Sequence, residues 1–282
     1  MTKVLKLALL GPMQIFIDDE PLIGLDSGKA RALLCYLAVN GRSHSRHALA
    51  NLLWGELPEA DARRNLRGVI LKLRQLLDPF LDISHQRMGL RPEADVWLDT
   101  AVFQQVVRSG ESWQTAVQLY RGEFLQEFYI RQAPAFENWL NEQRLWFHNQ
   151  AVIVYDAQAS QLLDEGSFSE GIYTARQLLS LEPTREASHR LLMQLLAYSG
   201  QRTAALRQFE QCKKLLADEL GVDVSEETAV LLEQIRSGKY DMVTRWQGDK
   251  AAEQAKVSPP PPHPVTLSPF IAGPPITEPS HF

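Results

Sequence analysis

The sequence predicts an α+β N-terminal winged helix followed by an all-α, tetratricopeptide-like helical-repeat domain. Three observations carry this. Residues 1–100 hold short apolar runs separated by turn residues, then three helical patterns, then a second strand-turn-strand signal. From Thr100 onward the pattern is helical throughout, and Gly166 and Gly200, each opening a helix after a turn, stand 34 positions apart. A Pro-rich stretch then closes the chain, so the expected domains are 1–100, 101–237 and an extended linker over 238–282.

The first strands are expected at Leu5–Leu10, Met13–Ile17 and Pro21–Gly24, with Asp18-Asp19-Glu20 as the turn between the last two. Ser27 is placed to cap a helix over Lys29–Val39, which brings Ala30, Leu33, Leu34 and Leu37 to one side and ends at Asn40-Gly41. A second helix starts at the cap Ser45, runs to about Trp54, buries Leu49, Leu52 and Leu53, and is broken by residues 55–59.

The third helix, Asp61–Leu77, is the informative one. Leu66, Val69, Ile70, Leu73, Leu76 and Leu77 gather on one side and must face the core. The opposite side is Arg64, Arg67, Gly68, Leu71 and Gln75, flanked by Arg63, Asn65, Lys72 and Arg74. No acidic residue falls on this outward face, whereas a merely solvated helix usually interleaves Glu with Arg four residues apart. The imbalance favours a polyanion partner. After Asp78-Pro79, a strand at Leu81–Ser84, a basic turn at 85–89 carrying Arg87, and returning strands at Leu90-Arg91 and Val96–Leu98 make a wing.

Seven helices are expected after Thr100, over 100–109, 112–120, 134–165, 168–181, 185–199, 201–219 and 226–236, with Glu182-Pro183 as a turn. Paired helices at this period stack into a groove that binds other proteins. A linker normally joins something, so a further C-terminal domain is expected after Ser258–Pro264 and Gly273-Pro274-Pro275.

Composition narrows the function. With 45% hydrophobic and 22% charged residues the chain is an ordinary folded protein. Its net charge of -5 argues against nucleic acid taken alone, but residues 1–100 hold 13 Lys+Arg against 12 Asp+Glu, and residues 61–91 hold seven against three. Charge by itself fits a solvated helix face as well as a DNA footprint. Cys35 and Cys212 lie far apart in apolar helical patterns and read as buried thiols in a reducing compartment. The apolar run at the N-terminus is cut by Lys6 and stopped at Gly11-Pro12, so no secretion signal is expected, and no membrane span either; the expected location is cytoplasmic.

Sites of other chemistry fail on spacing. Gly24–Ala30 resembles a phosphate-binding loop but has three residues between its glycines and Ala30 where magnesium needs a hydroxyl. His44 and His47 have no third ligand at metal spacing. No Gly-x-Ser-x-Gly elbow occurs, so no enzyme, cofactor or metal is expected. Ser45, Arg46 and His47 at a helix start fit phosphate contact instead. Phe124, Phe128, Tyr129, Phe136, Trp139, Trp146 and Phe147 fit a stacking platform, but read better as helix-packing core.

With these elements in order, the N-terminal part, with Ala62-Arg63-Arg64-Asn65-Leu66-Arg67 opening its third helix and Asp95–Asp99 ending the hairpin, resembles the OmpR-type winged helix of SARP-like bacterial regulators. Tyr120–Leu125, Ala133–Leu140, Arg190–Met193, Ala204–Glu210, Leu215–Val222 and Glu227-Thr228 resemble their bacterial transcriptional activation domain, and the likeness covers about residues 1–237. The resemblance implies binding to double-stranded DNA, head-to-tail on direct repeats, with the third helix in the major groove and the wing at the minor groove. It also implies activation by contact with RNA polymerase. Carried onto this chain, Arg64, Arg67, Leu71 and Gln75 become base-edge or deep-groove candidates, and Arg63, Lys72, Arg74, Arg46 and Arg87 phosphate or minor-groove candidates. Larger members continue into a signal-sensing, nucleotide-hydrolysing module. The competing reading is a tetratricopeptide-type adaptor that binds protein, not specific DNA.

Overall fold

The computed structural model describes residues 3–239, so the expected Pro-rich linker lies outside the described residues. By their internal contacts the described residues divide into two compact units at Ala151/Val152.

In the first unit, β1 (Val4–Ala8) and β2 (Gln14–Ile17) pair antiparallel in the register Leu5↔Ile17, and β2 is followed by the two-residue β3 (Glu20–Pro21). The third strand is therefore shorter than Pro21–Gly24. The β2–β3 loop is the pair Asp18-Asp19, with φ of 52° and 69°, the left-handed geometry that a tight hairpin turn requires. Asp18 also accepts the Val4 N–H at 2.8 Å. Three helices follow: α1 (Gly28–Asn40), α2 (Arg46–Trp54) and α3 (Glu59–Leu77). The caps are as expected, Ser27 accepting from Ala30 N and Ser45 from Ala48 N, and Gly41 closing α1 in the left-handed conformation. α1 is buried almost all round, from Ala32 through Ala38, because α2, α3 and the second sheet all pack on it.

That second sheet corrects the expected wing. Its order is β4 (His44–Ser45), β6 (Arg87–Leu90), β5 (Leu81–Ile83), with Leu81↔Leu90 and His44↔Met88 in register. The turn is the pair His85-Gln86, because Arg87 onward is drawn between two strand partners. The segment expected to return along the wing, β7 (Asp95–Leu98), instead pairs parallel with β1 and completes the first sheet as β3-β2-β1-β7.

Residues after β7 are fastened to the same unit. Asp99, at the start of α4 (Asp99–Ser109), is 1% exposed, and its carboxylate accepts the N–H groups of Leu9 at 2.6 Å and Leu10 at 2.8 Å. Beyond α5 (Trp113–Leu119), the chain lies along the end of β1: Leu125 N donates to Leu9 O at 2.8 Å and Arg121 N to Leu10 O at 3.1 Å. The first part of α6 (Pro134–Asp164) supplies Phe136, Trp139 and Phe147 to a buried aromatic core with Tyr36, Phe103 and Phe124. Phe124 stacks on Phe147 at 5.1 Å and Tyr36 meets Trp139 edge-on at 5.0 Å, so these rings are core, as expected, whereas Tyr129 is exposed.

The second unit holds the end of α6, then α7 (Phe168–Leu181), α8 (Glu186–Tyr198), α9 (Arg202–Leu220) and α10 (Glu226–Arg236). Ala159, Ile172, Ala175, Leu192, Leu195, Leu196, Phe209, Leu231 and Ile235 close its core. Gly166 and Gly200 both sit in left-handed turns, at φ 76° and 79°, which explains glycine at each of these spaced positions. The turn at Glu182-Pro183 is tied by Pro183 O to the His189 ring at 2.7 Å and by Arg185 to Asp156 at 2.6 Å.

Candidate nucleic-acid interface

α3 is positioned by Ala62, Leu66, Ile70, Leu73 and Leu77, all buried, with Val69 and Leu76 half-buried beside them. The same 3.6-residue period then forces Arg64, Arg67, Gly68, Leu71 and Gln75 outward, and all five are exposed, as are Arg63, Lys72 and Arg74. Leu71 is 59% exposed, a large apolar side chain standing among cations.

The charge on this face differs from the expectation in one respect. α3 begins two residues earlier than Asp61, and acids at its two ends reach back to the cations: Glu59 pairs with Arg63, Asp61 with Arg64 at 2.9 Å, and Asp78 with Arg74 at 3.2 Å. The sequence wheel excluded these acids because they sit on the helix flanks and ends, yet long Arg side chains span three or four residues along the axis. Arg67 and Lys72, with Gln75 beside them, form no ion pair among the described residues. Exposed pairs of this kind are worth only about 0.3–0.5 kcal/mol, so Arg63, Arg64 and Arg74 exchange a carboxylate for another anion at small cost.

A concavity of about 580 Å³ lies between α3, the start of α2 and the hairpin tip, lined among others by Ser45, Arg46, His47, Arg63, Arg67 and Gln86. Sequence reasoning placed these residues on three separate elements, and the structure brings them to one hollow. Two of α2's first-turn N–H groups are already engaged, Arg46 N on Gln86 O at 2.8 Å and Ala48 N on Ser45 Oγ at 3.1 Å. Arg46 Nε is buried without a hydrogen-bond partner among the described residues. Arg87 is not at the hairpin tip: it lies in β6, and its guanidinium is held by the carbonyl of Ser43. The tip presents His85 and Gln86, both exposed.

Next to Ser45 in β4, His44 is 8% exposed and its ring lies 4.9 Å from that of Tyr36. Burial, reinforced by Arg42 and Arg87, pushes its pKa down to about 4, so it is neutral at pH 7, and its buried Nε2 has no hydrogen-bond partner among the described residues. His47, by contrast, is exposed and 3.7 Å from Glu59, so the two histidines do not converge. No cluster of three or more His, Cys, Asp or Glu able to hold a metal occurs among the described residues. Lys29 of the Gly24–Ala30 segment is committed to protein carbonyls, Leu53 O and Gln132 O, and lies over the Trp54 ring, a structural role that sequence reasoning had not assigned.

Within the second unit, a groove of about 620 Å³ is lined by Arg176, Leu179, His189, Gln208, Lys214 and Leu215 among others. No helix among the described residues is long and apolar enough to cross a membrane.

Comparison with known proteins fits this two-part build. Residues 98–236 match the bacterial transcriptional activator domain, and the chain is similar over most of its length to bacterial transcriptional regulators. It is 30% identical over 233 residues to the regulatory protein AfsR of Streptomyces coelicolor, covering 78% of this chain and 23% of that protein. It is 26% identical over 254 residues to the transcriptional regulatory protein EmbR of Mycobacterium tuberculosis, covering 83% of this chain and 63% of EmbR. The chain thus spans about a quarter of AfsR and less than two thirds of EmbR. A solved structure of M. tuberculosis EmbR in complex with a low-affinity phosphopeptide shares the fold, with a TM-score of 0.62 at 24% identity over 91% of this chain and 73% of that one.

Proposed function

We propose that the chain is a sequence-specific double-stranded DNA-binding transcription regulator of the cytoplasm, an activator that contacts RNA polymerase. The observation that carries this is the outward row of α3, where Lys72, Gln75 and Leu71 are exposed beside Arg67, which itself lines the hollow that Arg46 and the hairpin tip share. A helix so supported enters a major groove and reads base edges with Arg64, Arg67, Leu71 and Gln75. Arg63, Lys72, Arg74, Arg46, Ser45 and Arg87 then meet phosphates or the minor groove and fix orientation without reading sequence. The winged-helix part, residues 1–100, binds DNA, arranged head-to-tail on direct repeats. Residues 101–237, whose paired helices support a tetratricopeptide-like arrangement, act on the polymerase, and the groove beside Arg176 and Lys214 takes a protein partner.

The test is a duplex titration at graded salt. With about six phosphates neutralised, log K falls against log salt with a slope of about -5, and a selected duplex outcompetes random DNA. Salt-independent or sequence-blind binding, with tight binding to a protein, overturns this reading in favour of the adaptor. Transcription reconstituted from a promoter bearing the selected repeat tests the activator step; no increase over polymerase alone refutes it.

A further inference from the structure

Arg64, Gly68, Leu71 and Gln75 recur at intervals of four, three and four residues, so they form the row of α3 farthest from its buried side. Gly68 is the midpoint of the helix that spans Glu59–Leu77. Glycine is the poorest helix former after proline, and an interior glycine is normally explained by close packing or by a left-handed backbone. Neither applies. A Cβ built on Gly68 meets nothing within 4 Å among the described residues, and its backbone is helical. The fold therefore bears a weak link on the exposed side of α3 with no intramolecular return. What a missing Cβ does provide is room for an outside surface to approach the helix backbone. Its neighbour on the row, Leu71, offers that surface an apolar group 59% exposed, with Arg67 and Lys72 on either side.

We infer that Gly68 is the point of closest approach of α3 to the base edges of a DNA duplex, and that Leu71 packs there on the 5-methyl group of a thymine. The major groove offers one apolar group, that methyl, and an aliphatic side chain reads it. The inference rests on the DNA-reading function proposed above and adds the contact point and one base of the target.

The experiment uses the full chain and the duplex it selects from a random library, read by fluorescence anisotropy, with wild type, Gly68→Ala and Leu71→Ala compared. Gly68→Ala raises the melting temperature by about 2–4 °C, because alanine propagates the helix better. The same variant binds the selected duplex about tenfold more weakly, a loss the higher melting temperature separates from misfolding. Replacing thymines by uracil one at a time identifies one position where wild type loses about fourfold, the weight of one buried methyl. Leu71→Ala is indifferent to that replacement. Unchanged duplex affinity of Gly68→Ala, or a uracil penalty that persists in Leu71→Ala, overturns this inference while leaving DNA reading intact. Failure of wild type to select any duplex overturns both.

Discussion

His44 makes the first unit sensitive to acid in a way that can be calculated. Its ring is buried against Tyr36, its Nε2 has no partner among the described residues, and burial with Arg42 and Arg87 holds its pKa at about 4, against 6.5 for an ordinary histidine. The folded state thus binds fewer protons than the unfolded one between these values. Stability from this group is complete above pH 6.5 and is lost as the pH falls toward 4. At 1.36 kcal/mol per pKa unit, the loss between pH 7.5 and 4.5 is about 2–3 kcal/mol. His44→Phe keeps the ring against Tyr36 and removes the titration. Urea unfolding followed by tryptophan fluorescence, for both proteins at both pH values, isolates the term, since every other titrating group cancels in the double difference. Wild type should lose about 2–3 kcal/mol more than His44→Phe on acidification. Equal losses would show that the ring is accessible to protons in the folded protein and refute the argument from burial.

Three further outcomes are expected. Arg67→Ala or Gln75→Ala costs about 1–3 kcal/mol on the selected duplex and relaxes preference at one position, whereas Arg46→Ala weakens all duplexes alike; competitive titration against single-base variants distinguishes them. Asp99→Ala leaves the N–H groups of Leu9, Leu10 and Thr100 without their acceptor, and destabilises the first unit by about 3–5 kcal/mol in urea, whereas a loss under 1 kcal/mol would mean water replaces the carboxylate. Burial raises the thiols of Cys35 and Cys212, the latter to about 11, so neither reacts with a thiol reagent at pH 8 until urea unfolds the chain; rapid labelling of the native protein would contradict the packing.

The local elements were legible because their causes are local. A helical period, a Ser cap and a glycine terminator act over three or four residues, so α1, α2 and α3, their caps, and the exposure of Arg64, Arg67, Leu71 and Gln75 followed from neighbours in the chain. Side-chain reach was the weak point. Glu59 and Asp78 lie beyond the ends of the expected helix and Asp61 at its first position, but they still meet Arg63, Arg74 and Arg64. Arg87 was placed on a turn that a strand partner absorbed.

By itself the sequence determined which segments are helices, which side of α3 faces outward, and how the glycines punctuate the later helix pairs. Only the tertiary structure decided that β7 pairs with β1, that Asp99 takes its partners at Leu9 and Leu10, and that Ser45, Arg46, Arg67 and Gln86 share one hollow. Strand pairing joins Leu5 to Val96, and buried hydrogen bonds join Leu9 to Asp99, 90 positions away, and to Leu125 farther still. No local period encodes such a partner; it is selected by which backbone groups remain unsatisfied once the core has closed.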